Sequence, residues 1–300
     1  MTDERQEKCW GASPVHPGYN SKESFMKWVK KNRSTIILVL IFIVGLSLLL
    51  YPSLSDYWNS FHQSRAIATY AEAVADLDDV DYEKMWQEAE EYNEQLKNKT
   101  NRWTMTEEEE EEYNRILDVG GTGIMGYIEI PEIKVSLPIY HGTDEGVLQI
   151  AVGHIPGSSL PIGGMGTHSV VSGHRGLPSA KLFTNLDELK EGDIFMIRVL
   201  DETLTYEVDQ IRIVEPDDLT SLEIDPEQDL CTLVTCTPYG VNTHRLLVRG
   251  HRIENLNDDS IRVTADAMQV DEMLVATAVA VPVLLILFVW VMVHYRKRKK

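Results

Sequence analysis

Two long stretches without charge constrain this chain before anything else does. Ser34–Tyr51 holds no Asp, Glu, Lys or Arg and includes IILVLIFIVGLSLLL at residues 36–50; Met273–Tyr295 is a second such stretch, of 23 residues. At about 1.5 Å of rise per residue, a helix of either length crosses a hydrocarbon layer of about 30 Å, so a wholly soluble chain is excluded. Lys27, Lys30, Lys31 and Arg33 precede the first stretch, and Arg296-Lys297-Arg298-Lys299-Lys300 follow the second. Basic clusters at both distal ends place both termini in the cytoplasm and the stretch between them outside. Ser53-Leu54-Ser55 has the small-x-small pattern of a cleavage site, but the charged region ahead of the span is long, and the span reads as an anchor. The expected organisation is a cytoplasmic segment at 1–33, a span at 34–51, an outer helical region at 52–119, a β domain at 120–255, a polar stalk at 256–272, a span at 273–295 and a basic tail at 296–300.

Charge narrows the possible partners. The first 33 residues carry +3 and the last five +5, so the formal −19 of the whole chain leaves −27 on the stretch between. A surface that acidic does not neutralise phosphates, which excludes nucleic acid as a partner. It suits colloidal solubility at a cell surface, or attraction of basic protein surfaces.

Within the outer stretch, residues 56–98 read as helical. Tyr82, Met85, Trp86, Ala89, Asn93 and Leu96 recur at helical spacing, and the acidic cluster at 76–81 supplies an N-cap that splits the region into a helical pair. Residues 97–105, KNKTNRWTM, are polar and irregular, with Trp103 as an exposed aromatic; the glutamates at 107–112 read as a solvated helix face. From Gly120 the pattern changes to short β-branched runs between glycine-rich turns: GYIEI, KVSLPIY, HSVVSG, DIFMIRVL, TLTYEVDQIRIV, DLCTLVTC and HRLLVRGHRI. Seven or eight short strands with one helical patch at 180–190 predict a mainly β fold, a closed or nearly closed barrel that leaves few exposed edges.

Two patterns in this region point away from function. Gly121-Thr122-Gly123-Ile124-Met125-Gly126 matches G-x-G-x-x-G, but a helical segment precedes it and a strand follows, the reverse of a dinucleotide site. His141, His154, His168, His174, His244 and His251 lack the spacings of a metal site, so neither a metal nor another cofactor is expected.

The cysteines are more informative. Cys9 lies on the cytoplasmic side, while Cys231 and Cys236 share one strand at an odd separation, which points them to opposite faces and argues against a disulfide. The strand ends at Cys236, Pro238-Tyr239-Gly240 makes a turn, and an antiparallel return sets Arg245 beside the thiol. A cysteine at an exposed strand end beside a cation is placed to act as a nucleophile.

TLVTCTPYG followed by NTHR, together with GHIPGSSLPIGGMGTHSVVSGHRGLPSAKLFTNLDEL at 153–189, resembles the sortases, membrane-anchored cysteine transpeptidases. The resemblance covers about 120–253 and the helical pair before it. It implies a sortase barrel with His174 as catalytic histidine, Cys236 as nucleophile and Arg245 as oxyanion donor. Two spans and an N-terminal extension resemble class C, the pilin-polymerising type, more than the type with one N-terminal anchor. That class implies an LPxTG-bearing pilin or surface protein as acyl donor and a pilin lysine as acceptor. The alternatives are attachment of surface proteins to peptidoglycan, or a non-catalytic scaffold that has kept the barrel. Class C also implies a lid with an Asp-Pro-aromatic motif over the cysteine. Near 97–106 this chain holds Asn101-Arg102-Trp103, which keeps the aromatic but neither the acid nor the proline, so a looser lid is expected.

Overall fold

The computed structural model describes residues 25–26, 29–255, 280–291 and 293. They belong to two units, one of residues 1–48 with 280–300 and the other of residues 49–279. In the first, the N-terminal part of helix α1 (Arg33–Ala75) carries the apolar window, whose mean hydropathy is 2.7. Among the described residues this is the one helix long and apolar enough to cross a membrane, and an apolar helix α5 is described over Ala280–Val291. Phe42 and Phe288 stack within this unit, ring centroids 4.2 Å apart. The expected second span extends beyond the described residues at both ends, and the stalk, the basic tail, Cys9 and most of 1–33 lie outside them.

The second unit is a closed eight-stranded barrel with helices packed on it, as the alternating β-branched runs predict. Its strands are β1 (Ile124–Ile130), β2 (Val135–His141), β3 (Val152–His154), β4 (Thr167–Ser172), β5 (Ile194–Val199), β6 (Glu202–Val214), β7 (Asp229–Thr237) and β8 (His244–Ile253). Closure runs in the order β1-β2-β3-β4-β7-β8-β6-β5. The pairs β2–β3 and β4–β7 are parallel and the others antiparallel. β3 went unpredicted because three residues give no periodicity to read. Its parallel pairing to β2 is reached through the short helix α4 (Glu145–Leu148).

Inward-facing residues such as Ile128, Ile139, Val171, Phe195, Ile197, Tyr206, Leu233 and Val248 form the core, every one of them fully buried. Phe195 stacks on Tyr206, and a Cβ on Gly250 would lie 2.7 Å from the Phe195 ring, so β8 needs a glycine there. The patch at 180–190 is not a helix; apart from a single 3-10 turn at Leu186–Glu188 it is turn and irregular backbone.

The helical region departs from the expected pair at its start. α1 runs unbroken through Pro52, so the apolar window and the first helix of the expected pair are one element. α2 (Asp79–Lys97) starts at an N-cap, Asp78, whose carboxylate accepts from the Asp81 amide at 2.8 Å, as the acidic cluster predicts. The glutamate run forms a third helix, α3 (Glu107–Arg115), opened by a capping box between Thr106 and Glu109. Its four leading carboxylates sit at the positive end of the helix dipole. Buried side chains are among those that tie these helices to the barrel. Tyr70 of α1 accepts from the Leu200 amide and donates to the Met125 carbonyl, and Asn93 of α2 brackets Leu160 with two hydrogen bonds. Tyr113 of α3 is buried with its hydroxyl on His154.

Candidate active site

β7 separates its two cysteines as its pleat demands. Cys231 is buried in the barrel core and Cys236 is half-buried at the strand's end, and both are free thiols. In the β7–β8 register Cys236 stands directly opposite Arg245, and Val234 opposite Leu247, so these four share the outer face. Residues 238–243 close the hairpin, with Gly240 and Asn242 at positive φ and the Val241 and Asn242 amides donating to the Pro238 carbonyl.

His174 reaches the same end from β4. Beyond Ser172, which pairs with Val234, the Gly173 amide donates to the Val234 carbonyl at 3.0 Å, and the buried Thr235 hydroxyl donates to the Gly173 carbonyl at 2.8 Å. His174 is the next residue along, which brings it to the strand end that carries Cys236. The loop it opens is held at several points. The Phe183 amide donates to the His174 carbonyl at 3.1 Å, the Gly176 amide to Thr184 at 3.1 Å, and Arg175 pairs with Asp187. Tyr239 of the β7–β8 turn lies against Gly176, so closely that a Cβ there would meet its ring at 2.7 Å. All three predicted residues, His174, Cys236 and Arg245, are half-buried. The Arg245 guanidinium donates from Nη1 to the carbonyls of Asn242 and His244, at 3.4 and 3.1 Å.

Of the two predicted lid residues, Trp103 packs on the same outer face. Asn101 is exposed, while Trp103 is half-buried against a small cluster of Val170, Leu222, Val234 and Leu247, rather than exposed as its polar surroundings suggested. Arg102 between them carried no sequence signal, yet it is only 5% exposed. Its guanidinium donates to the carbonyls of Gly157 (3.1 Å) and Leu222 (2.7 Å), pairs with Glu223 at 3.3 Å and lies over the Trp103 ring at 4.2 Å. Burial lowers its pKa and Glu223 offsets part of that. The segment is therefore tied down by its arginine.

Two other histidines are held in the fold by hydrogen bonds. His168, beneath this segment, bonds the Glu223 carbonyl through Nδ1 and Thr232 through Nε2; His154 bonds Tyr113 and the Ser159 carbonyl. Burial lowers both to about 4. Among the described residues no three His, Cys, Asp or Glu side chains gather as metal ligands. In the glycine-rich turn the amides of Thr122 and Gly123 both point at the chain's own Asp118 carboxylate, at 2.9 Å.

A sortase-domain profile matches residues 128–253, the barrel from the fifth residue of β1 onward. Crystallised sortase C1 from Streptococcus agalactiae is 57% identical, with a TM-score of 0.62 over 64% of this chain and 100% of that one. The chain belongs to the sortase family. A Streptococcus pneumoniae sortase C, whose description refers to catalysis and pilin substrate specificity, is 44% identical at a TM-score of 0.58, over 64% of this sortase and 97% of that chain. Sortase D of Bacillus subtilis is 33% identical over 131 residues, 43% of this chain and 63% of that relative's length.

Proposed function

We propose that this sortase is a membrane-anchored cysteine transpeptidase of the pilin-polymerising class, with Cys236, His174 and Arg245 as its catalytic residues. The observation that carries the reading is the convergence of the three at one end of the outer barrel face, Cys236 and Arg245 by direct register and His174 through Gly173 and Thr235. A free thiol is only a few per cent thiolate at pH 7, so a neighbouring base is required. His174 takes the Cys236 proton as the sulfur attacks the Thr–Gly carbonyl of an LPxTG-like signal. Arg245 leaves its loop carbonyls to donate to the oxyanion; loss of such a donor typically costs about 10²–10³ in rate. Collapse of the tetrahedral adduct expels the glycine amine, protonated by His174, and leaves a thioester. A lysine amine of the next pilin then displaces the sulfur, forming an isopeptide bond and returning the thiol. The class C likeness favours lysine over a cell-wall amine as acceptor.

In the same reading residues 34–51 and 273–295 anchor the chain with both termini cytoplasmic and the barrel outside, and 97–106 is a lid. The test is intact-mass measurement of the full chain in nanodiscs with an LPxTG-type peptide. An acyl adduct that is absent in Cys236→Ala supports the reading, and an adduct persisting in that variant overturns it. Adding a lysine-bearing or a cell-wall peptide then identifies the acceptor.

A further inference from the structure

Along residues 54–63, α1 wears its polarity inside out. Leu54, Tyr57, Trp58 and Phe61 are between 56% and 67% exposed. The barrel-facing side is polar instead. Asp56 Oδ1 accepts from the Lys181 amide at 2.9 Å, Asn59 Nδ2 donates to the Ser179 carbonyl at 2.8 Å, and Gln63 Nε2 donates to the Ile150 carbonyl at 2.7 Å. At 3.6 residues per turn the two sets lie on opposite sides, about 180° apart around the helix axis. A helix against a globular domain in water buries its apolar stripe and exposes its polar one. The reverse arrangement, in a helix whose preceding turns are the apolar window, requires an apolar or amphipathic surface on the far side. Aromatic side chains just beyond a span are the residues that settle at the bilayer interface. The polar side meets Ser179 and Lys181, which belong to the loop opened by His174.

We propose that residues 54–61 form an interfacial clamp: Leu54, Tyr57, Trp58 and Phe61 sit in the phospholipid headgroup interface, while Asp56 and Asn59 on the opposite side are positioning residues for the His174 loop. The lipid contact stands on the exposed apolar face and on the anchor reading of residues 34–51. The consequence for chemistry rests on the transpeptidase reading above. Removing the segment from the membrane would then loosen the histidine, not the cysteine, because Cys236 is fixed by the β7–β8 register.

The lipid arm uses the full chain in phosphatidylglycerol–phosphatidylcholine vesicles with a benzophenone side chain at position 58, compared with position 68, an exposed site about 15 Å further along the helix. Lipid adducts at 58 and none at 68 are expected. Cross-links from 58 to a second copy of the chain, or equal lipid adducts at both sites, overturn the lipid assignment. The positioning arm compares Asp56→Ala, which removes the acceptor, with Asp56→Asn, which keeps one. Asp56→Ala should lower kcat roughly ten-fold with KM little changed, the signature of a misplaced group, and shift the pH midpoint of iodoacetamide reaction at the Cys236 peptide. Asp56→Asn should restore both. Wild-type behaviour of Asp56→Ala in both readouts overturns the positioning role. A wild-type chain that forms no thioester counts against the transpeptidase reading, while the alkylation midpoint and the lipid adduct still decide the clamp.

Discussion

Cys231 and Cys236 lie five residues apart on one strand and live in different chemistries. Cys231 points into the barrel, fully buried, and desolvation pushes its thiol pKa well up, with Asp229 adding to the effect. Cys236 points outward at the strand's end, half-buried, opposite a guanidinium. The pleat alone makes this division. The inner face is built for packing, and the outer face of β4, β7 and β8 holds everything the proposed reaction needs. That outer face is itself divided, covered at its lower part by Arg102 and Trp103 and open at the end that carries Cys236.

The largest effect expected is the one that separates the two thiols. Cys236→Ala should lose thioester formation altogether with the urea midpoint unchanged, whereas iodoacetamide at neutral pH should modify Cys236 and spare Cys231. Rapid modification of Cys231 in the folded protein would break the comparison. The pH dependence of stability comes next, and it reads the covered part of the outer face. Burial, with Arg102 and Arg249 adding to it and Asp209 opposing them, sets the folded pKa of His168 at about 4, below the unfolded 6.5, and burial does the same for His154. Between those values the unfolded chain binds more protons. The stabilisation is therefore complete above pH 6.5, declines as pH falls through the window and is gone below 4, an effect of about 3 kcal/mol per histidine at most. Urea midpoints from pH 7 to 4 should fall accordingly, and more gently in His168→Gln. A flat profile would mean that the segment over His168 opens freely to water. Smaller again is Cys231→Ser, which sets a hydroxyl in the core at a cost of about 1–3 kcal/mol. Activity per folded molecule should be unchanged; a selective loss of activity would give the inner face a chemical role.

The division between faces was largely legible in the sequence, because alternation is written residue by residue. DLCTLVTC and HRLLVRGHRI give strands, parity and the Cys236–Arg245 register directly. The Cys236–Arg245 juxtaposition was therefore within reach, and His174 enters the proposed site through family resemblance. The long-range ties were not. Arg102 sits in a polar run where nothing marks it for burial, and its carbonyl partners are 55 and 120 residues away. Asp56 and Asn59 look like ordinary solvated helix positions until Lys181 and Ser179 are brought beside them. Thr235 is one threonine among three in TLVTCT, and only the parallel pairing with β4 makes its hydroxyl a tie to Gly173. Backbone carbonyl acceptors leave no trace in side-chain identity, which is why this class of contact escapes sequence reasoning.

The smallest effect expected concerns the boundary between the covered and open parts of the outer face. Arg102→Ala leaves the Gly157 and Leu222 carbonyls without their donor, at a cost of about 1–3 kcal/mol, and releases Trp103 from the guanidinium stacked on it. Trp103→Ala removes the cover itself but keeps the anchor. If the segment screens the approach to Cys236, both variants should speed iodoacetamide reaction there roughly several-fold, as local opening of a cover does, with the thermal midpoint falling more in Arg102→Ala. The comparison of the two variants separates anchoring from covering. Faster alkylation in Trp103→Ala alone would mean that the tryptophan holds its place without the arginine. Unchanged rates in both would confine the segment to packing on Val234 and Leu247, and leave access to the thiol governed by the loops at 174–183 and 238–243.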